Sequence, residues 1–198
     1  PVPWSRSYLR VHETGSRPKA LAAGSELGGY SYESCERYIG NYYLFRRSYD
    51  YPDRIVCGHM TIFWDHDVTH LRFSENQRNV SPGGKVYRYN FVGDVALPLG
   101  LACTQFIGRY DHGFSRVMTC TSLRGDNVPY FKGILVGLNE IRDLGFYPAT
   151  TPIYLEQTSD AFDVDAENPR VGSFERAGFW HKEADDELRS VSEKFFAS

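Results

Sequence analysis

Between Tyr38 and Gln157 the chain repeats one pattern: short runs of aromatic and β-branched residues, each cut by Gly, Pro, Asn or Asp, with no long helical period between them. A single run of this kind cannot bury its own apolar face, and runs joined by tight turns pair antiparallel with their neighbours in sequence. Strands are predicted near Tyr38 to Arg47, Arg54 to Trp64, Thr69 to Ser74, Lys85 to Val95, Leu101 to Arg109, Phe114 to Leu123, Tyr130 to Leu138 and Thr151 to Gln157. Turn chemistry separates them, as at Tyr51-Pro52-Asp53, Ser81-Pro82-Gly83-Gly84, Asp111-His112-Gly113 and Gly145-Phe146-Tyr147-Pro148. About eight successive strands predict a mostly β fold, either an up-and-down antiparallel β-barrel or a strongly curved meander.

Alternation says which side of each strand faces inward. In the second strand Val56, Gly58, Met60, Ile62 and Trp64 share the face expected inside, opposite Cys57, His59 and Thr61. In the fourth, Tyr87, Tyr89 and Phe91 form an aromatic stripe, and in the sixth Phe114, Arg116, Met118 and Cys120 share a side. An arginine therefore stands among core-like neighbours.

The flanks differ in texture. Ser5 to about Leu27 predicts two short helices broken at Thr14-Gly15-Ser16, and Glu183 to Phe196 has Leu188, Val191 and Phe195 at helical spacing, with Asp185, Asp186 and Glu187 near its start. The expected organisation is an N-terminal helical segment over residues 1–37, a barrel over 38–157, and an acidic loop with an amphipathic helix over 158–198. The helix is expected to pack on the barrel or on a second subunit, so a homodimer is among the expected partners.

The formal net charge of −3 excludes the general basic surface that non-specific nucleic-acid binding needs. Acidity concentrates late in the chain, with nine acidic against three basic residues from Ser159 to Glu187. Cys35, Cys57, Cys103 and Cys120 are widely spaced and form no C-x-x-C pair, so buried free thiols are expected, not zinc or disulfide chemistry. No apolar run reaches bilayer-spanning length and no signal peptide is legible, so the expected setting is the cytoplasm, away from membranes. The chain opens on Pro1 without an initiating Met, which raises the expectation of an upstream part.

Catalytic signatures are absent: there is no G-x-S-x-G, no H-E-x-x-H, no Walker loop, and Gly83-Gly84-Lys85 reads as a hairpin turn. His59, His66, His70 and His112 are the residues from which a metal or haem site would have to come, but the i, i+4 spacing of His66 and His70 has no ligating meaning in a turn and strand. No cofactor is expected. Arg46 at the end of the first strand and Arg116 on an apolar face can aim guanidinium groups into a barrel lumen, toward a ligand anion or a structural carboxylate. Tyr42, Trp64, Tyr87 and Tyr89 supply the aromatic lining of the same candidate pocket.

The run from Tyr38 to Ser48, the following Ile55-Val56, the run from Tyr130 to Leu138, and the later Pro148-Ala149 and Pro152-Ile153-Tyr154-Leu155 resemble the C-terminal domain behind helix-turn-helix modules in some bacterial transcription regulators. Gly40-x-Tyr42 is also similar to the Gly-x-Trp that opens lipocalin-like barrels, with Tyr in place of Trp. The first resemblance implies a sensor or dimerisation role, with DNA bound only through a module outside this chain. The expected function is a ligand-sensing effector domain that takes a small molecule in or at the mouth of the barrel. A lipocalin-like carrier or haem or metal binder, and an enzyme whose site only the fold assembles, are the alternatives.

Overall fold

The computed structural model of the chain describes residues 22–51, 53–80, 86–110, 115–141, 145–160, 162 and 168–196. Eight strands follow one another: β1 (Gly40–Arg47), β2 (Arg54–Asp65), β3 (His70–Val80), β4 (Val86–Ala96), β5 (Cys103–Tyr110), β6 (Ser115–Thr121), β7 (Tyr130–Ile141) and β8 (Gly145–Thr158). Each pairs antiparallel with the next, and β1 pairs with both β2 and β8, so the sheet closes on itself. The closed up-and-down barrel, rather than the open meander, is the fold. Closure leaves these strands no long free edge, which suits sequence-adjacent strands.

The inward face predicted for β2 is the one observed. Met60 and Ile62 are fully buried, and they meet Tyr42, Leu44, Leu71, Phe73, Phe106, Met118, Phe131, Ile153 and Leu155 in a continuous core. Phe106 lies at its centre, edge-on to Phe73 and to Phe131 with ring centroids 5.6 and 5.5 Å apart. The segment before β1 closes one end of this core. Tyr30 donates its hydroxyl to the Val95 carbonyl at 2.5 Å and accepts the Leu71 N–H at 3.1 Å, while Ala23 and Cys35 are buried against the core.

Most of the two helices expected between Ser5 and Leu27 falls outside the described residues. What is described there is a single 3₁₀ turn, Ser25–Leu27, followed by a four-residue helix α1 (Tyr32–Cys35). The closing helix α2 (Lys182–Phe196) is as expected. Ala184, Leu188 and Val191 are buried on its inner side, and Ala184 and Leu188 join Tyr43, Phe45, Ile55, Cys57, Tyr154 and Phe179 in a second apolar cluster outside the barrel wall. Cys35, Cys57 and Cys120 are buried and Cys103 half-buried, all as free thiols.

Three elements differ from the sequence expectation. Strand β3 does not end at Ser74; it runs to Val80, paired with β4 throughout. Its second half reads as polar because the barrel interior is itself polar there. Strand β8 starts at Gly145, not Thr151, despite Pro148 and Pro152. Here β8 pairs with β7, and β1 joins it only from Ile153 onward, so a missing N–H on the open side disrupts no ladder. The acidic region expected to be only loop contains a ninth strand, β9 (Gly172–Glu175). The β2–β3 ladder ends at the pair His59 and Asn76, and β9 pairs with the stretch of β2 from Arg54 to Cys57 beyond it.

Candidate ligand site at the mouth of the barrel

The interior has two unlike halves. Toward the end closed by Tyr30 it is apolar. Toward the other end, reached by the β1–β2, β3–β4, β5–β6 and β7–β8 connections and here called the mouth, inward positions carry Arg46, Glu75, Gln77 and Arg116. These four side chains are only 7%, 0%, 4% and 6% exposed, so charge and amide are desolvated together.

Strand geometry explains the grouping. Glu75 and Gln77 continue on β3 the inward parity of Leu71 and Phe73, and Arg46 continues on β1 that of Tyr42 and Leu44. Arg116 on β6 stands opposite Gly108 on β5. A Cβ on Gly108 would come within 3.0 Å of the Phe73 ring and 3.6 Å of Arg116 Cγ, and one on Gly58 within 3.1 Å of Gln77 Cγ. The glycines leave the volume that the long polar side chains fill.

One chain of contacts joins the four. Arg46 Nη2 donates to Gln77 Oε1 at 3.3 Å, Gln77 Nε2 donates to Glu75 Oε1 at 2.6 Å, and Arg116 Nη2 forms an ion pair with Glu75 Oε2. The Arg116 guanidinium also lies 3.6 Å from the centroid of the Phe91 ring, a cation–π contact, and that of Arg46 lies 4.8 Å from Tyr49. Burial lowers the pKa of both arginines, and the like charge of Arg46 adds to the effect on Arg116. Burial raises that of the Tyr49 phenol, against the pull of the two guanidinium groups.

The network is not closed. Arg46 donates through Nη1 to the Arg47 carbonyl and through Nη2 to Gln77, but its Nε is buried without an acceptor, as are the Arg116 Nε and the Tyr49 hydroxyl. Among the described residues Arg46 forms no ion pair within 4 Å, although Tyr49, Asp50 and Tyr89 favour its charge from further away. Two buried guanidinium groups thus share one buried carboxylate. Buried polar atoms in native proteins are normally satisfied, and unpaired ones call for a physical reason such as a ligand.

Of the six residues proposed from sequence, the structure brings Arg46, Arg116 and Tyr89 to this end. Tyr89 stands opposite Gln77 in the ladder, and its ring lies 5.8 Å from that of Tyr110. Tyr87 is further along the same stripe and 37% exposed, at the rim. Tyr42 and Trp64 are elsewhere: Tyr42 is fully buried in the apolar half with its hydroxyl on the Tyr38 carbonyl, and Trp64 packs edge-on to Tyr30 and Tyr32 at the closed end. Glu75, Gln77 and Tyr49 were missed. The signal for Glu75 and Gln77 was their parity with Phe73, hidden by the assumption that an inward residue must be apolar.

The histidines are scattered, and among the described residues no group of three or more His, Cys, Asp or Glu is placed to hold a metal ion. His66 stacks on Tyr32, both ring nitrogens of His70 are engaged, with the Val68 carbonyl and Asp94, and His112 lies outside the described residues. His59 points out of the barrel, with its ring centroid 3.6 Å from that of Phe162. Burial pulls its pKa from 6.5 to about 4. The native state therefore refuses a proton that the unfolded chain accepts, so its contribution is complete above about pH 6.5 and is lost as pH falls toward 4, about 1–3 kcal/mol in all. His59→Gln is expected to flatten the pH dependence of the urea midpoint across this window; an unchanged slope would contradict the assignment.

His181 looks at first like a catalytic base, since its Nε2 lies 2.9 Å from Glu156 Oε1 and Tyr154 donates to Glu156 Oε2 at 2.9 Å. Its Nδ1, however, accepts the Ala184 N–H at 3.2 Å and so caps α2. The free lone pair a base needs is already used, which makes this a clamp of the helix to β8.

Two surface clefts flank the barrel, one of about 750 Å³ along Tyr51, Arg54, Arg176 and Asp185, and one of about 260 Å³ along Arg78, Pro169 and Phe174. Among the described residues no helix is long and apolar enough to cross a membrane. Comparison with known proteins finds no family model, no curated protein and no solved structure that matches the chain. The reading of the site therefore rests on its chemistry alone.

Proposed function

We propose that this chain is a small-molecule-binding effector domain whose ligand enters at the mouth of the barrel, in the manner of the sensor domains of bacterial transcription regulators. The observation that supports this most is the incomplete network at Arg46 and Tyr49, a buried polar site whose donors outnumber its acceptors. The closed end is filled by apolar side chains and gives rigidity; the mouth has the few placed polar groups among aromatic rings that ligand pockets show. The rings of Tyr49, Tyr89 and Tyr110 are half-buried, and a ligand that displaced them would select a state the free protein visits.

A route to the terminal helix is present in the backbone of β1. Arg46 faces the lumen, while the next residue, Arg47, faces outward and pairs with Asp185 of α2 at 2.7 Å. A ligand that moves Arg46 acts on a strand that α2 touches through Arg47, and a regulator that carries DNA-binding helices in another module can read such a shift, with α2 also available to a second copy of the chain. Thermal-shift screening of small metabolites, followed by amide hydrogen exchange, tests this. A stabilising compound is expected to slow exchange in β1, β3 and β6 and to change it in α2, with the α2 response reduced in Asp185→Asn. A broad screen without a single stabilising compound, or protection that leaves α2 untouched, would overturn the binding and the signalling parts respectively.

A further inference from the structure

The mouth contains more information than that something binds there. We infer that its ligand is a monoanion, specifically a carboxylate carried on an aromatic or similarly flat body, with Arg46 as its anchor. This rests on the binding reading above and narrows it to a class.

Charge balance comes first. Within the lumen the described ionised groups are Arg46, Arg116 and Glu75, an excess of one positive charge in a region almost without solvent. Glu75 engages Arg116 through one oxygen and Gln77 through the other, and among the described contacts it reaches Arg46 only by way of the Gln77 amide. One incoming negative charge brings these three described groups to neutrality. A doubly charged phosphate would overshoot and leave a buried anion in excess, and a neutral ligand would leave the guanidinium uncompensated.

Donor geometry comes second. The Nε of Arg46 is buried and unpartnered, and the Tyr49 hydroxyl beside it is in the same condition. The one unpartnered N–H of this guanidinium, at Nε, suits one oxygen of a carboxylate, whose second oxygen can accept from a phenol. The third consideration is the body behind the charge. Phe91, Tyr89 and Tyr110 form a contiguous set, with Tyr110 5.8 Å from Tyr89 and 5.5 Å from Phe91, and Phe91 already lies against Arg116. Rings in this arrangement favour a flat apolar group over a flexible polar one.

The class also explains why Gln77 is an amide. As a relay it passes donor direction from Arg46 to Glu75 without adding a second carboxylate, which would have neutralised Arg46 and removed the reason for a ligand. Arg116 and Glu75 are then the fixed frame, and Arg46 is the charge held in reserve.

The test is calorimetric titration at neutral pH and low salt with phenylacetate, cinnamate and salicylate, the neutral isosteres phenylacetamide and cinnamamide, and phenyl phosphate as the dianion. At least one acid is expected to bind at least about tenfold more tightly than its amide and than phenyl phosphate, and Arg46→Met is expected to abolish that preference. A second measurement needs no ligand: if Arg46 is reserved for an anion, Arg46→Met leaves the melting temperature of the free protein within about 3 °C or raises it, whereas a structural arginine would cost more than about 5 °C. Amides that bind as well as acids would overturn the carboxylate inference and leave the binding reading standing. Failure of all three acids overturns the inference. A large loss of stability in Arg46→Met does the same, since it assigns the residue to the frame, and with an empty metabolite screen it removes the binding reading as well.

Discussion

Glu75→Gln is expected to lower the unfolding free energy by about 3–5 kcal/mol, among the largest effects of any single change at the mouth. Glu75 is fully buried, and the substitution keeps its shape while deleting the one negative charge among the described groups of the lumen. Both Arg46 and Arg116 would then carry uncompensated charge in a desolvated space, and the attraction that offsets their burial would be gone. The cost belongs to the orphaned arginines more than to the lost contact. Accordingly the double variant Glu75→Leu/Arg116→Met is expected to recover part of the loss, because it removes both members of the pair while Arg46 stays buried without a carboxylate. Urea unfolding of the two variants against the parent protein checks this; a cost below about 1 kcal/mol for Glu75→Gln would mean that water reaches the pair and that the interior is not the dry site described.

The same residues show how far the sequence could be read. Strand count, antiparallel order and the inward face of β2 were legible because tight turns and two-residue alternation are local signals, and the apolar half of the barrel follows the rule that inward means hydrophobic. Arg116 stood out for breaking that rule on a strand where its neighbours kept it. Glu75 and Gln77 did not, because six polar residues in succession, from Ser74 to Asn79, look like the end of a strand when only composition is weighed. Only β4, pairing down to Val80 with Val86, shows that β3 continues. Strand β9 was hidden for another reason: it is four residues long, and its place is set by the stretch of β2 beyond the β2–β3 ladder, a feature of closure and not of its own sequence. Trp64 and Tyr42 were grouped with the arginines by face alone, and face does not say at which end of a strand a residue lies. Their separation from Arg46 along the barrel axis follows from register, which pairs Trp64 with Leu71 at the closed end.

That separation gives the barrel two halves with different duties, and Phe106→Ala tests whether they are independent. Phe106 is fully buried, edge-on to Phe73 and Phe131, and Phe131 in turn contacts Tyr42 and Tyr38 with centroids 5.6 and 5.9 Å away. Truncation removes the central ring of this cluster and leaves a cavity whose walls are held by the closed sheet, so the site cannot collapse far. The expected cost is about 3–5 kcal/mol by urea unfolding. The cavity is apolar and dry, so a small aromatic hydrocarbon such as benzene is expected to restore part of the lost stability, as polar solutes would not. Phe106 lies on β5 two residues from Gly108, on the apolar side of the Arg116 level, and pairs with Met118 instead. At temperatures where the variant remains folded, discrimination between acid and amide ligands at the mouth should therefore stay within a few-fold of the parent protein. If that discrimination disappears while the fold persists, the packed half is part of the recognition site, and the division of the interior into a rigid plug and a charged mouth does not hold.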